Sequence, residues 1–269
     1  MTIAIVQAIR TDHAGFIKER EDYLKHARRG NLPVSLKSMA YSLPWPVNIE
    51  DPYTHIMNFY VLNSDLKDGI KAGISEVHAG VDIQVKVKPT KFKSDVEVKP
   101  VQEGKVICCR RDTTFKKNLA DVFVQVPNSK YCWGYVHLDL DSIPTKIKSM
   151  IKEPIDDVNF NSTVEVTPED TLGVIGYWVQ DFNRDFIISK EKYEEVFGMD
   201  PEYYEVKRSF KGTVPDDVEA FFGRELHHLH LCLEDSTVAL LGDYGDGVNP
   251  KDEPWGINPL LLLKKLYAF

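Results

Sequence analysis

Apolar and polar positions along this chain recur with the period of extended backbone over most of its length. Ile83-Gln84-Val85-Lys86-Val87 alternates residue by residue, the period of two that sends successive side chains to opposite sheet faces. Val96-Glu97-Val98 leads through Pro100 and a Gln102–Lys105 turn into Val106-Ile107-Cys108-Cys109. Asp121 to Val126, Tyr131 to Leu140, Val164 to Val166 and Leu172 to Val179 read as further strands. Many short strands joined by Gly, Pro and Asn turns predict a mainly β protein, an antiparallel sandwich or barrel. A helical period appears in two places. Residues 12 to 29 place Phe16, Ile17, Tyr23, Leu24 and Ala27 among charged residues, with Thr11 or Asp12 as N-cap and Gly30 as stop. Ser189 to Phe197 and Pro215 to Phe222 form the second, an insertion of about 180–222 on the sheet scaffold, where loops shape specificity. Leu43-Pro44-Trp45-Pro46 breaks helix. The expected organisation is an N-terminal helical segment, 1–45, and a β domain, 46–269.

One strand departs from the pattern. Glu225 to Leu233 is apolar, yet three of the chain's eight histidines, His227, His228 and His230, fall in it. Strand parity puts His228 and His230 on one face and His227 on the other. A buried imidazole needs partners, so this is either costly polar burial or a metal or catalytic site. Two other places offer the missing parts. His78 and Asp82 are four apart with Gly80 between them; even spacing puts them on one face, and the glycine allows a bend that lets them converge. Taken alone, that pair reads first as a surface hydrogen bond. His137 lies in the apolar run Trp133 to Leu138, where a lone histidine reads as a satisfied core residue. Together the three clusters supply what a hydrolytic zinc site uses: three ligands, an open position for water and two further imidazoles. His13 and His26 read as solvated residues of the first helix, and His55 as a loop or edge residue that a substrate groove could use.

Composition narrows the classes without changing that picture. The chain has 269 residues, 43% of them hydrophobic, with 13 Phe, 12 Tyr and 4 Trp, enough to anchor a core and exclude disorder. A formal net charge of -8 with scattered Lys and Arg excludes a nucleic-acid footprint. The four cysteines, Cys108, Cys109, Cys132 and Cys232, show no C-x-x-C spacing. They read as small buried apolar residues, with room for one disulfide. The first residues lack a basic region and a long apolar core, unlike a secretory signal, and no apolar run of about 18 residues predicts a membrane span.

With the clusters in order, the sequence resembles the lysostaphin-like or LytM-type zinc metalloendopeptidases, which cut peptidoglycan peptides. Their H-x-G-x-D, Y-x-H-L and H-L-H segments stand here as His78-Ala79-Gly80-Val81-Asp82, Tyr135-Val136-His137-Leu138 and His228-Leu229-His230. The turn after Lys99-Pro100-Val101, the run from Val164 to Gly176, and Val248-Asn249-Pro250 or Ile257-Asn258-Pro259-Leu260 are similar to connecting family text, over roughly residues 45 to 265. The resemblance implies an antiparallel β-sheet or sandwich of the LytM type and Zn2+ on His78, Asp82 and His230. It makes His137 and His228 the catalytic imidazoles. It implies peptidoglycan peptides as substrate and action in the periplasm or cell wall. With no secretory signal read in these residues, the expectation is either delivery by another route, as a toxin, effector or lysis enzyme with a secretion apparatus or an immunity protein as partner, or a signal removed from the sequence. The alternative within the family is a non-catalytic module that regulates another cell-wall hydrolase; a third reading is a metal-dependent hydrolase of another substrate. Tyr177-Trp178-Val179-Gln180 and the long insertion depart from the family pattern, which bears on specificity rather than on the metal set.

Overall fold

The computed structural model describes residues 21–49, 54–61, 78–85, 95–111, 119–151, 161–176, 228–236 and 256–266. Nine strands occur among them: β1 His55–Asn58, β2 Gly80–Gln84, β3 Glu97–Val98, β4 Gly104–Arg111, β5 Leu119–Gln125, β6 Tyr131–Asp139, β7 Glu165–Val166, β8 Gly173–Val174 and β9 His228–Asp235. Seven form one sheet in the order β1-β2-β9-β6-β5-β4-β7, while β3 and β8 pair separately, and every strand pairing is antiparallel. The mainly β, antiparallel expectation therefore holds. The histidine strand β9 lies near the middle of the sheet, between β2 and β6.

Both faces of this sheet are covered, for different purposes. One face carries Val81, Ile83, Val106, Val122, Val124, Trp133, Tyr135, Leu229, Leu231 and Leu233 into the main core. Each fully buried Leu, Ile or Val side chain there contributes about 1.5–3 kcal/mol. The other face carries Asp82, His228, His230 and Cys232, with a smaller apolar cluster of Ile107, Cys108, Phe123 and Cys132 beside them. All five residues of β2 are buried, so the period of two seen in sequence separates core face from site face rather than core from solvent.

Cys108 and Cys109 fall in different clusters, as vicinal strand residues should. All four cysteines are buried and free, so the disulfide allowed by the sequence is not formed. Residues 21–26 are helical, as expected, but the helix is no solvated appendage. Tyr23 and Ala27 are fully buried in the main core. His26, expected on the surface, is 3% exposed and stacks on Phe59 with ring centroids 4.9 Å apart. The segment is tied to the end of the chain: Asn258 Nδ2 donates to the carbonyls of His26 and Arg29, and Leu43 forms a parallel bridge with Leu263. Asn258 also caps the short 3-10 turn Pro259–Leu261 by accepting the Leu260 N–H. His13, His227, the helices predicted in 180–222, Tyr177 to Gln180 and Val248 to Pro250 lie outside the described residues.

Candidate metal centre

Register, more than local sequence, assembles the site. Asp82 on β2 is the direct cross-strand partner of His230 on β9, and facing pairs in an antiparallel sheet hold their side chains within reach. His78, two residues before β2, is held by an isolated antiparallel bridge to Val61 and so shares a face with Asp82. His78 Nε2 lies 3.2 Å from His230 Nδ1 and 3.3 Å from Asp82 Oδ1, and His230 Nδ1 lies 2.8 Å from that same oxygen. Donors at ~2.05 Å from a tetrahedral zinc would be separated by about 3.3 Å. The observed triangle is close to that value.

The orientation of His78 is fixed from behind. Its Nδ1 lies 3.0 Å from the Phe59 carbonyl. A carbonyl can only accept, so Nδ1 carries the hydrogen and Nε2 is left to face the centre, the outer-shell arrangement common to ligating histidines. Three lone-pair atoms aimed at one point require a positive charge between them, a proton or a metal ion. The titration of the groups agrees. Burial, the largest influence on Asp82, opposes its ionisation, but the charge of His78 and hydrogen bonds from His230 and His78 hold the carboxyl well below its usual range. Burial likewise opposes charge on His78, yet Asp82 and backbone hydrogen bonds outweigh it and raise its pKa. His78, Asp82 and His230 are 7%, 6% and 9% exposed, and they are the group of metal-capable side chains found among the described residues.

Beside the expected bend, which falls at Ala79, Gly80 has a second role here. Its φ is not positive, so it supplies no unusual conformation. Instead, a Cβ at this position would stand 2.6 Å from the Leu231 carbonyl oxygen and 2.7 Å from His230 Cε1. The glycine makes room for the His230 ring.

His137 and His228 join the same face by different routes. His228 follows parity, two residues from His230. His137 should not be there: Val136 is the partner of His230, so the next residue belongs on the core face. A β-bulge corrects this. Ala120 pairs with Leu138 and Val122 with Tyr135, so β6 carries one extra residue, and Asp121 opposes both Val136 and His137. His137 takes φ 69°, a left-handed conformation that costs a non-glycine residue about 1–2 kcal/mol. Its ring lies 5.0 Å from His228 and 6.3 Å from His230, centroid to centroid. His137 is half-buried, whereas His228 is 2% exposed. Burial first, then the neighbouring His137, His230 and His78, lowers the His228 pKa to about 3 against the opposing pull of Asp82. His228 is therefore a neutral imidazole, not one poised near pH 7.

All five candidate residues thus converge, His78, Asp82 and His230 around one point and His137 and His228 beside it. His55 begins the edge strand β1, opposite Gln84. Sequence reasoning passed over Phe59, Arg110 and Asp121. The last two had a signal: charged residues inside the apolar runs Ile107 to Cys109 and Leu119 to Val124. No protein-family model, curated protein or solved structure matches the chain.

Proposed function

We propose that the protein is a zinc-dependent endopeptidase that hydrolyses peptide cross-links of bacterial peptidoglycan. The observation that carries this reading is the convergence of three buried donor atoms within 4.8 Å of one another, with two more imidazoles on the same sheet face. Two nitrogens and one carboxylate oxygen suit zinc and leave a fourth position open, the pattern of catalytic rather than structural sites. Zinc held there would acidify a water in the open position and polarise the scissile carbonyl.

The chain's own residues supply the rest. Asp82 remains anionic and fixes the position of both ligating imidazoles. His228, neutral through burial, presents an N–H or a lone pair to the reacting atoms without bringing a charge. His137, on the more exposed side, takes a proton from the attacking water and returns it to the leaving amine. The non-catalytic alternative draws support from loss of ligand or catalytic positions, and here all five are present.

Digestion of purified peptidoglycan by zinc-loaded protein, with mass analysis of the fragments, tests the proposal. Cleaved cross-links that disappear on chelation and return with zinc are expected. Intact peptidoglycan in the presence of a full equivalent of bound zinc would overturn it.

A further inference from the structure

On the site face, beyond His137, lies a buried ion pair with no part in the reading above. Arg110 on β4 and Asp121 on β5 are register partners, 7% and 3% exposed, with Nε 3.6 Å from Oδ2. The guanidinium also sits over the Phe123 ring, 5.3 Å from its centroid. A buried ion pair is poor evidence for a stabilising role, since desolvation cancels much of the attraction. Its location is what matters. The other carboxylate oxygen of Asp121, Oδ1, accepts the backbone N–H of His137 at 3.2 Å. That N–H is at the bulge, where the ladder is interrupted. From the other side, the Gly176 N–H donates to the His137 carbonyl at 2.7 Å, and a Cβ on Gly176 would meet that oxygen at 2.9 Å.

We propose that Asp121, oriented by Arg110, is the positioning residue for His137: it holds the amide of the bulged residue and so keeps the imidazole on the metal face. A left-handed histidine persists only where its surroundings over-determine it, and an ionised acceptor on its N–H is the strong form of such a hold. The Arg110 charge lies on the Oδ2 side of the carboxylate, which leaves Oδ1 toward the amide. The consequence for turnover rests on the proposed proton transfer by His137; the placement of the ring does not.

The test compares full-length, zinc-loaded Asp121→Ala, Asp121→Asn and the apolar pair Arg110→Met/Asp121→Leu, which leaves no unpaired charge if the single alanine variant fails to fold. Three readouts apply: bound zinc, the ring NMR resonances of isotope-labelled histidines (His137 assigned by its loss in His137→Ala), and kcat and KM on soluble cross-linked peptides. Asp121→Ala and the apolar pair are expected to move the His137 resonance, retain one zinc and lower kcat roughly 10²-fold, the cost of about 1 Å of misplacement. KM should stay within about threefold. Asp121→Asn, which keeps an oxygen acceptor, should recover to within about tenfold of wild type, and Asp121→Ala should add nothing to His137→Ala. An unmoved His137 resonance, or an equal loss in the His137→Ala background, overturns the assignment. If the wild-type protein cleaves no peptide, the function above fails, and the resonance alone still decides the positioning role.

Discussion

Replacing Gly80 with alanine separates space from conformation at the candidate metal centre. Because the Gly80 φ is not positive, alanine meets no backbone penalty there, so any effect comes from its methyl group. That carbon would stand 2.6 Å from the Leu231 carbonyl and 2.7 and 2.8 Å from His230 Cε1 and Nε2. Ordinary contact begins near ~3.5 Å, so the ring must retreat by about 0.7 Å or the strands must part. His230 Nδ1 has little room to follow, being 2.8 Å from Asp82 and 3.2 Å from His78. Metal–nitrogen bonds tolerate about ±0.2 Å, so the displaced ligand cannot serve the same ion. Zinc affinity should fall roughly 10–100-fold, the loss seen when ligand support is removed, and overpacking should cost the metal-free protein about 1–3 kcal/mol. Gly104→Ala provides the control. Its Cβ would meet Val124 Cγ1 at 2.7 Å, as well as the Gln125 carbonyl, at the β4–β5 pairing away from the ligands. It should lose comparable stability and keep its zinc affinity. Calorimetric titration of zinc into chelator-stripped protein, paired with thermal melts, measures both quantities. Wild-type zinc affinity in Gly80→Ala, with a melt like that of Gly104→Ala, would refute the claim that this glycine exists to admit the His230 ring.

The remaining expectations can be checked on the same preparations. His230→Ala should lose metal and activity together, while His137→Ala should keep about one zinc by elemental analysis and lose turnover by roughly 10²–10⁴-fold; full activity in His137→Ala would remove it from the mechanism. The His228 pKa is lowered from 6.5 to about 3, so below pH 6.5 the unfolded chain binds a proton that the folded one refuses. Its stability contribution is present above 6.5 and is lost as pH falls toward 3. From pH 6.5 to 5 this amounts to about 2 kcal/mol, and metal-free His228→Gln should show that much less acid destabilisation than wild type; equal slopes in thermal melts would contradict the buried neutral imidazole. Burial raises the Cys108 and Cys109 pKa values to about 11 and about 12 and pushes Cys132 and Cys232 well above the ordinary thiol range. Folded protein at pH 8 should therefore resist alkylation at all four thiols and react at all four in urea, and rapid labelling of the native state by mass spectrometry would count against this packing.

How much of this was legible in the sequence depends on how far each feature reaches along the chain. Strand content was legible, because alternation is local: Val81 and Ile83 on β2, and Leu229, Leu231 and Leu233 on β9, mark one apolar face in each strand. The shared face of His228 and His230, and of His78 and Asp82, follows from parity within one segment. That these segments are neighbours is a matter of register: Asp82 meets His230 because β2 pairs with β9 across 148 residues of sequence, and only the resemblance of the ordered motifs brought them together beforehand. The burial of His26 was illegible for a similar reason, since its cover is Phe59 and its helix is fastened by Asn258. The disulfide-or-thiol question for the cysteines likewise turned on which strands are adjacent.

His137 is the instructive case, because parity applied correctly gives the wrong face. From Tyr135 and Leu138 alone, both core residues, two intervening positions must be fitted between two inward-facing ones, and a regular strand can place only one outward. An odd spacing between core positions is itself the mark of a bulge, and it is visible in the sequence. What the sequence does not say is which of Val136 and His137 takes the left-handed backbone. An acceptor on the neighbouring strand can decide this, and Asp121 stands opposite both. A charged residue inside an apolar run, facing an irregularity in the next strand, is then more than a buried charge seeking a partner; it marks the place where the backbone has been held in a conformation the histidine would not adopt unaided.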